Sequence, residues 1–164
     1  MKSSLIFLSI LLMYQTKSQE VNSTPYKIML NTLLSHSVPE VSVPEIDSPE
    51  KITWLDARAK EEYEVSRIED AIWVGYDDFS MDRVEGISKD ANIVIYCSIG
   101  YRSEKISEKL ISAGYTNVSN LFGGIFEWKN EGRKLYDASH GETNKIHGYS
   151  KIWGIWLNKG EKVY

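Results

Sequence analysis

Cys97 is the only cysteine in 164 residues, and it opens the stretch Cys97-Ser98-Ile99-Gly100-Tyr101-Arg102-Ser103. A thiol with a guanidinium nearby is an arrangement that favours thiolate, the nucleophilic form of sulfur. Gly100, at the centre of the stretch, permits a tight turn and close approach of backbone N–H groups. A lone cysteine is most often a small buried hydrophobe. Three features of this one argue for chemistry instead. It follows an apolar run rather than lying within it, its loop holds a glycine, and a cation closes the loop where a helical pattern starts. One cysteine makes no internal disulfide and no Cys-x-x-Cys redox couple. Any adduct formed on Cys97 must therefore be resolved by an outside nucleophile.

The elements that must position this loop are legible on both sides of it. Ile93, Val94, Ile95 and Tyr96 form a short apolar run of the kind found in buried parallel strands. After the loop, Ile106, Leu110 and Ala113 fall on one helical face and Glu104, Lys105, Glu108 and Lys109 on the others, predicting a helix over 103–113 that Gly114 caps. Cys97 is thus expected at the carboxyl end of a strand, facing a helix N-terminus whose unpaired N–H groups and dipole favour negative charge. Further strands are predicted at Ile52 to Leu55, Ala71 to Val74 and around Val118, with a short helix from Lys60 to Ser66, a loop or helix from Asp78 to Ile87, and a helix after Gly123-Gly124. Strands alternating with helices call for a parallel α/β sheet with helices on both faces and a ligand beyond the carboxyl ends of the strands. Upstream, Tyr26, Met29, Leu30, Leu33 and Leu34 give a modest helical pattern that Ser23 or Thr24 can cap. The segment from Val38 to Pro49 reads as an edge strand or extended arm.

Composition narrows the classes. A hydrophobic share of 42% with 12% aromatics supplies a core, and a net charge of -4 gives no nucleic-acid-binding character. Residues 1–18 read as a signal peptide. Lys2 precedes an apolar core from Leu5 to Tyr14, Thr16 and Ser18 suit cleavage before Gln19, and the core is too short for a comfortable membrane span. An exported protein, periplasmic or secreted and with no stable membrane anchor after cleavage, is expected. His140, Glu142 and His147 fit no metal-binding spacing, so no metal is expected.

Three ordered signatures resemble those of the rhodanese-like domains of sulfurtransferases. They are Leu55-Asp56-Ala57-Arg58 running to Glu62-Tyr63, then Tyr96-Cys97-Ser98-Ile99-Gly100-Tyr101-Arg102-Ser103, then Gly123-Gly124-Ile125-Phe126-Glu127-Trp128. The family usually has Gly-His-Ile where this chain has Ser66-Arg67-Ile68, which bears on local geometry and charge near the site. The resemblance implies a three-layer α/β fold with a mainly parallel central sheet flanked by helices on both faces. It also implies a sulfurtransferase that moves sulfane sulfur from a donor such as thiosulfate to a thiol or cyanide through a Cys97 persulfide, without a cofactor. Ser98, Ile99, Gly100, Tyr101, Arg102 and Ser103 would bind substrate. Asp56 and Arg58 would pair as a supporting salt bridge, and Gly123 and Gly124 would let the neighbouring turn pack closely. The partners implied are a small-molecule sulfur donor and a thiol acceptor, not nucleic acid; oligomeric state is left open. The division expected is a helical extension at 19–37, the domain at 38–133 and an aromatic tail at 134–164 packed upon it. Two rivals stand beside this reading. A non-catalytic binding or sulfur-carrier module of the same fold commonly lacks the cysteine present here. A cysteine-dependent phosphatase places five residues between cysteine and arginine, whereas four stand here.

Overall fold

The structure, a computed structural model, describes residues 21–164. The segment 1–18, read above as a signal peptide, lies outside the described residues. Among those described, no helix is long and apolar enough to cross a membrane. The centre is a five-stranded sheet of β1 (Glu40–Val41), β2 (Thr53–Asp56), β3 (Ile72–Trp73), β4 (Ile93–Tyr96) and β5 (Val118–Leu121), in the order β1-β5-β4-β2-β3. Every pairing is parallel.

The middle strand, β4, is buried along its whole length because both of its faces are covered. Val94 and Tyr96 join one apolar cluster and Ile93 and Ile95 the other, as the two-residue period of a strand requires. Full burial of each such aliphatic side chain contributes about 1.5–3 kcal/mol. The first cluster is completed by α1 (Thr24–Leu33), α4 (Gly124–Asn130) and the C-terminal tail, the second by α3 (Tyr101–Ser112). The remaining helix, α2 (Lys60–Val65), packs beside the tail strand β8 (Lys145–His147), which pairs with β9 (Glu161–Val163). A short hairpin, β6 (Leu135–Tyr136) with β7 (Glu142–Thr143), lies between α4 and β8.

Several expectations change in detail. The helix after the loop begins at Tyr101 rather than Ser103, because Gly100, at φ 117°, turns the chain directly into it. Ala113 is exposed, while Glu104, assigned by periodicity to the polar face, is fully buried. The reason is tertiary: its carboxylate accepts the N–H groups of Ser35 and Ser37, where the chain leaving α1 crosses α3. The strand expected over 71–74 contracts to two residues at the sheet edge, and the stretch from Asp78 to Ile87 holds a 3₁₀ turn at Met81–Val84. The arm after Val38 is the opposite edge strand, β1, followed by a 3₁₀ turn at Val43–Glu45. The helix expected within 19–37 packs into the core. Tyr26 and Leu30 of α1 are wholly buried in the same cluster as Trp54 and Trp128, and so are Ile146 and Leu157 of the tail.

Candidate active site

Cys97 follows β4 at the carboxyl edge of the sheet. Two helices meet its loop. The first turn of α4 donates Ile125 N–H to Cys97 O at 2.9 Å and Phe126 N–H to Ser98 O at 3.1 Å. These are N–H groups that a helix start leaves without partners of its own. In a trans peptide the N–H points opposite to the carbonyl, so the N–H groups of Ser98 and Ile99 turn away from α4. This contact requires Gly124. A Cβ there would lie 2.5 Å from Cys97 O, 2.6 Å from Ser98 O and 2.7 Å from Ile99 N, and its φ is 58°.

From the other side, α3 presents its N-terminus to the sulfur. Gly100 N–H donates to Cys97 Sγ at 3.1 Å, and Tyr101, Arg102 and Ser103 occupy the first turn, where helix geometry supplies no acceptor for their N–H groups. The Gly100 turn is latched from β5. Asn120 Nδ2 donates to Gly100 O at 3.0 Å, and the Ser103 hydroxyl donates to Asn120 Oδ1 at 2.7 Å. The sulfur thus lies against a fixed backbone N–H at a helix start, a dipole that requires no reorganisation when negative charge arrives.

Arg102 stands at the loop, with a partner that the sequence did not show. Its fork is engaged by Glu62 of α2, at 2.7 Å to Oε2 and 3.0 Å to Oε1, and it also donates to Ser98 Oγ at 3.0 Å. Ser98 Oγ donates in turn to Glu62 Oε1 at 2.9 Å. The Glu62 side chain is 3% exposed and that of Arg102 15%. Burial alone would push the Glu62 carboxyl up, but the Arg102 hydrogen bonds and charge, with Arg58 behind them, hold it below its ordinary range. Burial likewise works against the Arg102 cation, and the Glu62 hydrogen bonds, then the nearby Cys97 sulfur, more than reverse it. Arg102 is therefore a cation already balanced by a carboxylate. The Tyr149 ring covers it, with its centroid 4.9 Å from the guanidinium carbon.

A cavity of about 200 Å³ opens over the loop, lined by Cys97, Ser98, Ile99, Tyr101 and Arg102 together with Leu33, Tyr149 and Trp153. Of the predicted substrate-binding residues, Gly100 and Ser103 do not line it; Ser103 is fully buried and holds the turn. Asp56 and Arg58 form a fully buried ion pair at 2.6 Å, with Arg58 also donating to Ser66 O. They stand behind Glu62, not in the cavity. Gly123, at φ 84°, starts α4 and accepts the Tyr26 hydroxyl at 2.8 Å. The direct contact with the loop belongs to Gly124. Glu62, Tyr149 and Trp153 were not anticipated. Glu62 lies within a quoted signature, where a carboxylate one turn into a helix reads equally well as a capping residue; its Oε2 does accept Ala59 N–H at 3.0 Å. No signal in the tail marked Tyr149 or Trp153. Among the described residues no cluster of His, Cys, Asp and Glu could hold a metal ion.

Comparison with known proteins identifies the family and the fold. The rhodanese-like domain family matches residues 44–131. The chain is similar to the tRNA uridine(34) hydroxylase of Photorhabdus laumondii, at 37% identity over 94 residues, covering 54% of this chain and 26% of that protein. A Yersinia pestis protein of the same name is 36% identical over 95 residues. The match thus spans about a quarter of these relatives' length. Among solved structures, a rhodanese-like domain from Anabaena superposes with a TM-score of 0.56 at 26% identity, covering 60% of this chain and 79% of that one. The thiosulfate sulfurtransferase of Pseudomonas aeruginosa gives 0.57 at 22% identity, covering 69% of this chain and 23% of that one, a likeness of fold.

Proposed function

This chain belongs to the rhodanese-like domain family, and from that premise we propose that it is a sulfurtransferase working through a persulfide on Cys97. The observation that carries the reading is the chain's single thiol held at the floor of a cavity, with Gly100 N–H on its sulfur and the start of α3 around it. Cys97 thiolate attacks the outer sulfur of a sulfane donor. The new S–S bond forms on Cys97 as the donor's own bond to that sulfur breaks, and the donor remnant leaves with the electron pair. With thiosulfate the leaving group is sulfite. The N–H groups around the loop hold the terminal sulfur of the persulfide. No second cysteine is available to resolve it, so an external thiol, or cyanide, accepts the sulfur and Cys97 thiolate returns.

A binding module of the same fold would have no need of a thiol so placed. The tRNA in the names of the hydroxylase relatives is not carried over. A net charge of -4 offers no general attraction to a phosphate backbone, and the cavity is of small-molecule size. We further propose that residues 1–18 direct export, for which N-terminal sequencing of protein from its host is the test: a start near Gln19 supports export and an intact Met1 refutes it. The test of function is mass spectrometry of the purified protein after exposure to thiosulfate and to organic persulfides. One added sulfur on Cys97, removed by excess thiol and not formed in Cys97→Ser, is expected. A protein that no sulfane donor loads is not a sulfurtransferase.

A further inference from the structure

We propose that the donor this site is built for is an organic hydropersulfide, R–S–SH with an apolar alkyl or aryl R, rather than the thiosulfate dianion. The tail residues Tyr149 and Trp153 set that preference. The inference rests on the sulfur-transfer reading and concerns what lies beyond the sulfur. The loop N–H groups can hold the sulfane sulfur of any donor, so they do not discriminate. Discrimination falls to the wall that meets the rest of the donor.

That wall is Leu33 from α1, Ile99 and Tyr101 from the loop and α3, and Tyr149 and Trp153 from the tail. Arg102 is the one cation lining the cavity among the described residues, and it is committed. Glu62 takes its fork through two hydrogen bonds, Ser98 Oγ takes a third, and Tyr149 lies over it. The Ser98 hydroxyl is itself directed at Glu62. A sulfonate group entering here would lose water and gain no unbalanced positive charge, which is costly for an anion. An alkyl or aryl group would exchange water for apolar contact. The size is suitable, since apolar cavities of ~150 Å³ accept a benzene ring. The Tyr149 position is built rather than incidental. Its backbone stands at φ 61°, uncommon for a side chain of this size, and its N–H is held by His147 Nδ1 at 3.0 Å.

The transfer balances without a further reactant. Cys97 thiolate bonds to the outer sulfur of R–S–SH, which keeps its hydrogen. The inner S–S bond breaks, and R–S⁻ leaves with the electron pair.

The experiment follows the first half-reaction alone, as single-turnover loading of Cys97 by thiosulfate, glutathione persulfide and benzyl persulfide. Each rate is divided by that donor's rate with free N-acetylcysteine, which removes intrinsic reactivity. Benzyl persulfide should exceed thiosulfate by about tenfold or more, with the charged glutathione persulfide between them. Tyr149→Asn, at a half-exposed position and with a side chain that tolerates the left-handed backbone, should shrink that ratio several-fold, and Trp153→Ala should do the same. Equal or faster loading by thiosulfate overturns the proposal while leaving sulfur transfer intact. A ratio unmoved in both folded variants overturns the role of the tail. Loading by no donor overturns sulfur transfer itself.

Discussion

In the proposed reaction Cys97 is the residue that reacts, and Glu62 holds its loop in place. Glu62 receives Arg102, the Ser98 hydroxyl and the Ala59 N–H at once, so it ties α2 to the active-site loop. Glu62→Gln leaves the Arg102 cation without its counter-charge in a mostly buried setting. A loss of about 2–4 kcal/mol is expected near pH 7, read by urea denaturation. The pH dependence has a definite sign. The Glu62 carboxyl is held below its ordinary value of 4.5 by its partners. Its contribution is therefore complete above 4.5 and is lost as pH falls below that through the folded value. The stability gap between wild type and Glu62→Gln should be full near pH 7 and should narrow as the pH is lowered below 4.5 through the folded value. A constant gap would mean that the carboxylate charge contributes nothing. Cys97→Ser, by contrast, should keep the wild-type denaturation midpoint and lose sulfur loading entirely.

Among elements, the contact between α4 and the loop is the least tolerant. Three backbone atoms of the loop stand within 2.7 Å of where a Gly124 Cβ would be. None of them can move as a flexible side chain would. Gly124→Ala should cost about 1–3 kcal/mol and should also slow Cys97 loading, because the loop must shift to make room. Gly86 is the natural control. It has no atom within 4 Å of an added Cβ and no positive φ, so Gly86→Ala should be neutral or stabilising by about 0.4–1 kcal/mol. Comparable losses in the two variants would show that the α4 contact is not the constraint.

At the scale of the molecule, the ends of the described chain close over the site. The rings of Tyr26 in α1 and Trp156 in the tail stack at 5.2 Å. Asn130, at the end of α4, donates to Trp156 O at 2.9 Å and accepts Asn158 N–H at 2.7 Å. These contacts fasten the 3₁₀ turn at Trp153–Trp156 that carries a cavity wall. Asn130→Ala should lower stability by about 1–3 kcal/mol and speed proteolysis within the tail before the core is cut. Tail cleavage at the wild-type rate would show that Asn130 does not hold it.

The sheet and the place of Cys97 at its edge could be read from the residues because both depend on local pattern. Ile93 to Tyr96 is apolar at every position, as a strand covered on both faces must be, and a unique cysteine followed by glycine and a helical period states its own position at the strand end. The Asp56–Arg58 pair was implied by the family resemblance, and it forms as a buried ion pair at the strand end. What the local pattern could not contain was the partner of Arg102. Glu62 and Arg102 are 40 residues apart and meet only because β2 and β4 are neighbours in the sheet, so that α2 and α3 rise from the same edge. Glu104 was misassigned for the same reason: periodicity describes one helix, and its burial is imposed by a loop 67–69 residues away. The tail's part in the cavity lay furthest from the sequence. Tyr149 and Trp153 belong to no repeating pattern. They reach the cavity over Cys97 because Ile146 and Leu157 are buried in the central core on either side of them, and burial across such separations is decided only when the whole chain has packed.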